Sequence, residues 1–174
     1  NEAEALMLEN NLIKRYTPKY NILLKHGGKP PYICVTLADD YPQIIPTRNI
    51  EKKKGAKYFG PYLGMQKAID LINTARMIYP VIQCKKNSSV ISKGKSRPCL
   101  NYEMGKCSAP CAGKITIEEY RRDVIGPIMK YLSGDLSYSE EYLTNKMKTA
   151  SKQLDFEKAI EIRDTINLLK RRLR

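Results

Sequence analysis

Cys84, Cys99, Cys107 and Cys111 fall within 28 residues, spaced C-x14-C-x7-C-x3-C, in a stretch rich in Lys, Ser, Gly and Pro and poor in apolar periodicity. Such a segment has little side chain with which to build a core, so a ligand or cross-link has to supply what burial does elsewhere. Clustered thiols either bridge one another or bind a metal. No charged-then-apolar leader marks the sequence for export, which shifts weight from disulfides to metal ligation in a reducing cytosol. The spacing lacks the paired C-x2-C knuckles of ordinary zinc fingers, so it favours a metal site without choosing the metal. A tetrahedral structural zinc suits four thiolates, and so does an iron-sulfur centre. Cys34 stands apart within a β-prone run and reads as a buried apolar residue.

Charge supplies the second constraint. Thirty-one Lys and Arg face eighteen Asp and Glu, a formal net charge of +13, which points to a polyanionic partner. Between Asp70 and Glu103 there is no acid, while Arg76, Lys85, Lys86, Lys93, Lys95 and Arg97 gather beside the first two clustered cysteines. We read Lys85, Lys86, Lys93, Lys95 and Arg97 as phosphate contacts to nucleic acid, against the plainer reading of a solvated basic loop. No apolar run approaches the roughly 20 residues that cross a bilayer, so no membrane partner is expected.

The pattern along the 174 residues is α+β. Asn1-Glu2-Ala3-Glu4 reads as a capping box opening a helix that runs to about Arg15, ahead of Pro18. Ala5, Leu6, Leu8, Leu12 and Ile13 share one arc of it, and Glu9 projects near the middle of that arc. A carboxylate there costs free energy unless cations or donors compensate, so Glu9 is either a functional acid or a rim residue paired with another part of a longer protein. Strands are expected over Tyr32 to Leu37 and Gln43 to Thr47, with turns at Asp39-Asp40 and Lys52 to Gly55. Tyr58-Phe59-Gly60-Pro61-Tyr62 gathers aromatics around a bend and reads as core in preference to a base-stacking platform. A helix follows from Met65 to Tyr79, stopped by Pro80. Thr116-Ile117-Glu118-Glu119 is a second capping box, and Gly126-Pro127 predicts a kink before Leu132.

Ser133-Gly134-Asp135 reads as a linker into a helical hairpin. Leu143, Met147, Ala150 and Leu154, then Ala159, Ile166, Leu169 and Leu173, keep a seam spacing in which Arg163 takes one position. Two helices of this length bury little by themselves, so the hairpin is expected to seek a partner, either within the chain or outside it.

These residues carry a resemblance. Asn1 to Ala5, Leu12-Ile13-Lys14 and Pro18-Lys19-Tyr20-Asn21 resemble the end of a GIY-YIG nuclease domain. Tyr58 to Tyr62, Arg97-Pro98-Cys99 and Gly105 to Cys111 resemble the central region of the bacterial UvrC family of nucleotide-excision-repair endonuclease subunits, and Leu154 to Ala159 with Arg163-Asp164 is similar to its UVR motif. The resemblance covers essentially the whole chain and implies the rest. Residues 1–26 would be the C-terminal part of the nuclease domain, 27–80 a β-hairpin and helix region, 81–133 a cysteine-rich metal and DNA-binding region, and 136–174 the UVR hairpin. Glu9 would be the catalytic ligand of a divalent ion, magnesium or manganese, with Asn21 near that site. The family's tyrosines, arginine and name-giving strands are expected to precede Asn1, leaving this segment inactive alone. The four cysteines would hold an iron-sulfur cluster, of the four-iron type, with zinc as the alternative. Damaged double-stranded DNA and UvrB would be the partners, the latter through Phe156, Glu157, Ala159 and Arg163, in the bacterial cytosol. A different-class alternative is a non-enzymatic metal-binding UVR adaptor, which resembles tandem C-x2-C zinc modules that this sequence lacks.

Overall fold

The computed structural model describes residues 2–20, 29–50, 55–84, 91 and 93–171. Helix α1 spans Glu2–Tyr16 and ends where Thr17 turns left-handed (φ 44°) ahead of Pro18. The proposed Asn1 cap lies outside the described residues. Strands β1 (Tyr32–Thr36), β2 (Ile44–Thr47) and β3 (Ala56–Phe59) form an antiparallel sheet in the order β2-β1-β3. Cys34 stands opposite Ile45 on one side and Tyr58 on the other. Alternation sends Ile33, Val35, Ile44 and Phe59 to one face, where Ala68, Ile72, Ala75 and Ile78 of α2 (Met65–Ile78) join them in the core. Cys34 is buried, as its apolar reading required.

The expected bend lies at Gly60-Pro61, and Tyr58 and Phe59 before it belong to a third strand, with Phe59 buried as its core reading required. Gly60 adopts φ +122°, and a Cβ there would meet the Tyr62 ring at 3.1 Å, so the sharp exit from β3 suits glycine. Of the expected turn after β2, Lys52 to Lys54 lie outside the described residues.

After α2 the chain buries Val81 and Ile82 and enters the cysteine region, which includes a single helical turn, α3 (Leu100–Glu103), and a 3₁₀ turn, Pro110–Ala112. This region is less coreless than its composition suggests. Ile91 and Cys111 join the same apolar cluster as the sheet, α2 and the next helix. That helix opens at Thr116 with a complete capping box: Thr116 Oγ1 accepts from the Glu119 N–H (3.2 Å) and Glu119 accepts from the Thr116 N–H (3.0 Å). It runs as α4 (Ile117–Tyr120), a π turn (Arg121–Ile125) and α5 (Gly126–Leu132). The Gly126 N–H reaches back five residues to the Arg121 carbonyl. A widened turn of this kind accommodates Pro127, which has no N–H to give and would crowd a regular preceding turn.

Helices α6 (Ser137–Lys152) and α7 (Phe156–Arg171) fold back on one another, and the ion pair of Lys170 near the end of α7 with Glu140 near the start of α6 (2.7 Å) fixes them as antiparallel. The hairpin finds a partner within the chain, and the segment read as a linker is a short hydrogen-bonded turn. Residues 133–135 form a bonded turn, with the Asp135 N–H donating to the Lys130 carbonyl (3.0 Å). Leu143, Ile166 and Leu169 enter the common core, and Tyr79 shares a buried hydroxyl hydrogen bond with Ser139 (2.9 Å). Burial pushes the Tyr79 pKa up to about 12, against the lowering effect of that bond. The hairpin stripe is wide enough to serve its own seam and the body of the protein together. Leu154, expected in the seam, is instead 73% exposed in a turn at φ +60°. Among the described residues, no helix is long and apolar enough to cross a membrane.

Tyr120 joins three of these parts. It is fully buried, donates to the Pro42 carbonyl (3.1 Å) and accepts from the Ile82 N–H (3.3 Å), and its ring meets Tyr41 edge-on at 5.5 Å. Tyr120→Phe preserves the packing and leaves two buried backbone groups without their partner. Urea unfolding of the variant should show a loss of roughly 1–3 kcal/mol for each group left unpaired. An unchanged midpoint would show that the hydroxyl carries no stability.

Candidate functional site

The four clustered cysteines are placed by backbone hydrogen bonds more than by burial. Pro80 ends α2, and its carbonyl accepts from the Ser108 N–H (2.9 Å), while the Gln83 side chain donates to the Lys106 carbonyl (3.1 Å). These two bonds hold the Cys107 strand of the loop beside the segment leading to Cys84. Cys99 begins α3 and its carbonyl accepts from Tyr102 and Glu103; the Asn101 carbonyl then takes the Lys106 and Cys107 N–H groups at 2.8 and 3.1 Å. The Ser96 N–H donates to the Cys111 carbonyl (2.7 Å), closing the loop on the other side.

Exposure is graded across the set. Cys107 and Cys111 are buried, Cys84 is half-buried and Cys99 is exposed. Burial raises the Cys107 thiol pKa, the Ala109 N–H aimed at its sulfur (3.4 Å) acts against this, and the neighbouring Cys84, Cys99 and Cys111 thiols raise it further. The other three thiols therefore lie within electrostatic reach of Cys107. Among the described residues, however, no three His, Cys, Asp or Glu side chains form a group that could hold a metal ion. The electrostatic neighbourhood and the coordination geometry thus disagree. Proximity to Cys107 groups the four thiols, while the described side chains form no closed ligand shell. The chemistry of the donors fits a thiolate-bound centre: three thiols neighbour Cys107, one amide N–H is already directed at its sulfur, and the buried Ser108 hydroxyl beside it has no hydrogen-bond partner among the described residues.

Lys93, Lys95 and Arg97 are all exposed on the same loop, while Lys85 and Lys86 lie outside the described residues. Lys106 and Lys114 are exposed too and were missed by a reading confined to the acid-free stretch. For Lys114 the fold supplies the signal, since it follows Gly113, which packs against Gly94.

Glu9 is exposed on α1. Leu8, 59% exposed, and Leu12 are also bare, whereas Ile13 is buried. Glu9 therefore lies beside exposed apolar side chains, and the expected arc is mostly unpacked among the described residues. Asn21 lies outside the described residues, and no described acid joins Glu9 in a metal-holding group.

Away from the core-bound end of the hairpin, α6 and α7 frame an open groove of about 450 Å³, lined by Met147, Ser151, Phe156, Ala159, Ile160 and Arg163 among others. Phe156 is 58% exposed and Ile160 is also exposed, so the groove presents apolar surface to solvent. Arg163, expected in the seam, is exposed and pairs with Asp164 at 3.4 Å. Glu157 is exposed on the first turn of α7.

Comparison with known proteins aligns with this geometry. The family model of the UvrC/Cho excinuclease middle domain matches residues 30–129, the UvrB/UvrC motif matches 142–172, and the UvrC-like GIY-YIG domain matches 1–22. A UvrABC system protein C from Clostridium botulinum (strain Hall) is 47% identical over 172 residues, covering 98% of this chain and 27% of that protein. Its counterpart from Ruminiclostridium cellulolyticum is 47% identical over 169 residues, 97% of this chain and 27% of that protein. The chain thus spans about a quarter of the length of the curated relatives it matches. No solved structure matches it.

Proposed function

The chain belongs to the UvrC family, and from that membership we propose that it is a segment of a DNA-repair endonuclease, in which α1 supplies a catalytic acid, the cysteine region contacts DNA and the α6–α7 groove receives a partner protein. The observation that carries this reading is the order of the three family matches along one chain, each falling on a structural feature suited to its role. The middle-domain match over 100 residues also counts against a tandem-zinc adaptor. The intact protein is read as an excinuclease that incises damaged double-stranded DNA in the bacterial cytosol, the partner as UvrB, and this segment alone as inactive.

Glu9 is the acid we assign to the nuclease site, with Asn21 beside it. Its carboxylate would hold magnesium or manganese, which when bound polarises a phosphate. The bare Leu8 and Leu12 around it mark a surface made to be covered by protein, which would raise the electrostatic value of the carboxylate there. In the full-length enzyme, Glu9→Gln should abolish one of the two strand incisions on a lesion-bearing duplex and leave DNA affinity near wild type. Retention of both incisions would return Glu9 to the rim.

Cys84, Cys99, Cys107 and Cys111 would hold an iron-sulfur cluster, of the four-iron type, with zinc as the runner-up. Protein isolated without oxygen should be brown and contain iron and sulfide in equal amount. Colourless protein with one zinc selects the runner-up, and metal-free protein with four reactive thiols overturns both. In metal-free protein Cys107 should alkylate more slowly than Cys99 at neutral pH, because its thiol is both buried and held protonated.

The hairpin groove suits a helical partner with an apolar ridge, and Phe156 is its best-placed anchor, with Glu157, Ala159 and Arg163 around it. Phe156→Ala should weaken binding of UvrB by at least about 2 kcal/mol, more than tenfold, without loss of helix signal by circular dichroism. Intact binding together with collapsed helicity would make Phe156 a core residue instead.

A further inference from the structure

The α3 turn presents apolar side chains that the fold does not use. None of its four residues is buried. Leu100 is 70% exposed and Met104, one turn later, is 46% exposed; the Met104 N–H donates to the Leu100 carbonyl at 2.9 Å, so the two stand on the same side. The turn is nonetheless held at its end, because the Asn101 carbonyl binds both the Lys106 and Cys107 N–H groups and Gly105 turns left-handed at φ +67°. Exposed cations flank the pair along the chain, Lys93, Lys95 and Arg97 before it and Lys106 after it, and Glu103 is the acid between them. A loop that only needed to be soluble would not set two large apolar side chains together between cations.

Resting on the reading that this region contacts DNA, we propose that Leu100 and Met104 form a wedge that enters duplex DNA at a step whose bases are already unstacked, while the flanking Lys and Arg hold the phosphates on either side. Charge complementarity chooses the partner. Leu and Met are among the side chains that proteins insert between base steps, and backbone-directed cations beside them fix position without reading sequence. Magnitude sets the preference for a distorted site. Burying two aliphatic side chains releases free energy of the same order as the cost of unstacking one base step. On an intact duplex the two offset each other; where a lesion or mismatch has already broken the stack, the gain from burial remains. The wedge therefore favours distorted over regular DNA without contacting the lesion chemically.

The test uses the full-length protein carrying Leu100→Ala with Met104→Ala, and a fluorescent duplex either fully paired or with a central mismatch bubble containing 2-aminopurine. Both side chains are exposed, so folding should be unaffected, as circular dichroism checks. The double variant should lose about tenfold in affinity for the bubble duplex and lose the 2-aminopurine fluorescence change on binding. It should keep wild-type affinity, and the wild-type salt dependence, on the paired duplex. An undiminished preference for the bubble overturns the wedge. Lys93→Ala with Lys95→Ala tests the underlying DNA reading separately: the logarithmic salt slope should fall by roughly 0.9 per contact removed on the paired duplex. A slope that does not move refutes phosphate contact by these lysines, a result distinct from failure of the wedge.

Discussion

The Tyr120 hydroxyl is the point from which the other parts of the structure take their positions. Its donor bond to Pro42 holds the start of β2, and its acceptor bond from Ile82 holds the segment that leads out of α2 toward Cys84. Burial raises the hydroxyl pKa strongly, so the group stays neutral and remains both donor and acceptor across the physiological range. Tyr120 also lies within electrostatic reach of the Cys84 and Cys107 thiols, which places the cysteine region directly over this junction. Arg121 reinforces the arrangement from the surface, its guanidinium donating to the Leu37, Asp39 and Asp40 carbonyls of the β1–β2 turn. A sheet of three short strands with one covering helix buries little by itself. The α4–α5 helix stabilises it chiefly by bringing Tyr120, Val124, Ile125 and Ile128 into the same core.

Above that junction the cysteine region is organised by a different physical logic. Cys111 and Ile91 are anchored in the core, but Cys99 and the α3 turn project from it and are held by main-chain hydrogen bonds. Hydrogen bonds on an exposed loop add only about 1 kcal/mol each, so the outer half of the region is the part whose order gains most from a bound centre. Exposure rises from buried Cys107 and Cys111 to exposed Cys99, so the inner thiols are tied to the body while the outer one sits at the base of the turn that carries Leu100.

Much of this was legible in the sequence where local chemistry decides the outcome. The Thr116–Glu119 capping box, the α2 helix up to Pro80, the first two strands and the burial of Cys34 all follow from side chains acting on their own neighbours. What escaped depended on distant partners. The Ala56–Phe59 strand is too short to show alternation and is recognisable only from its pairing with β1. Ile91 and Cys111 look like loop residues until the sheet, α2 and the α4–α5 helix gather them into one core. At Gly126-Pro127, where a kink was expected, the helix carries a π turn that takes up the missing Pro127 N–H, a ladder shift that sequence alone does not specify. For the candidate sites, the thiol cluster and the exposed cations could be named from spacing, whereas the exposure of Leu100 and Met104 appears only in the folded chain.

The integration of the hairpin into the core changes what partner binding can do. A hairpin on a slack linker would raise the local concentration of its partner and transmit nothing else. Here Leu143, Ile166 and Leu169 are buried with Tyr79, and Tyr79 in turn adjoins Pro80, whose carbonyl binds the Ser108 N–H of the cysteine region. The groove around Phe156 lies at the free end of the same two helices. A protein seated there is therefore held at a fixed distance and orientation from the thiol cluster, because the helices between them are packed at one end and continuous along their length. Geometry of this kind suits a task in which one partner marks a place on DNA and another must act at a defined separation from it. The core contacts of α6 and α7 at Leu143, Ile166 and Leu169 would set that separation.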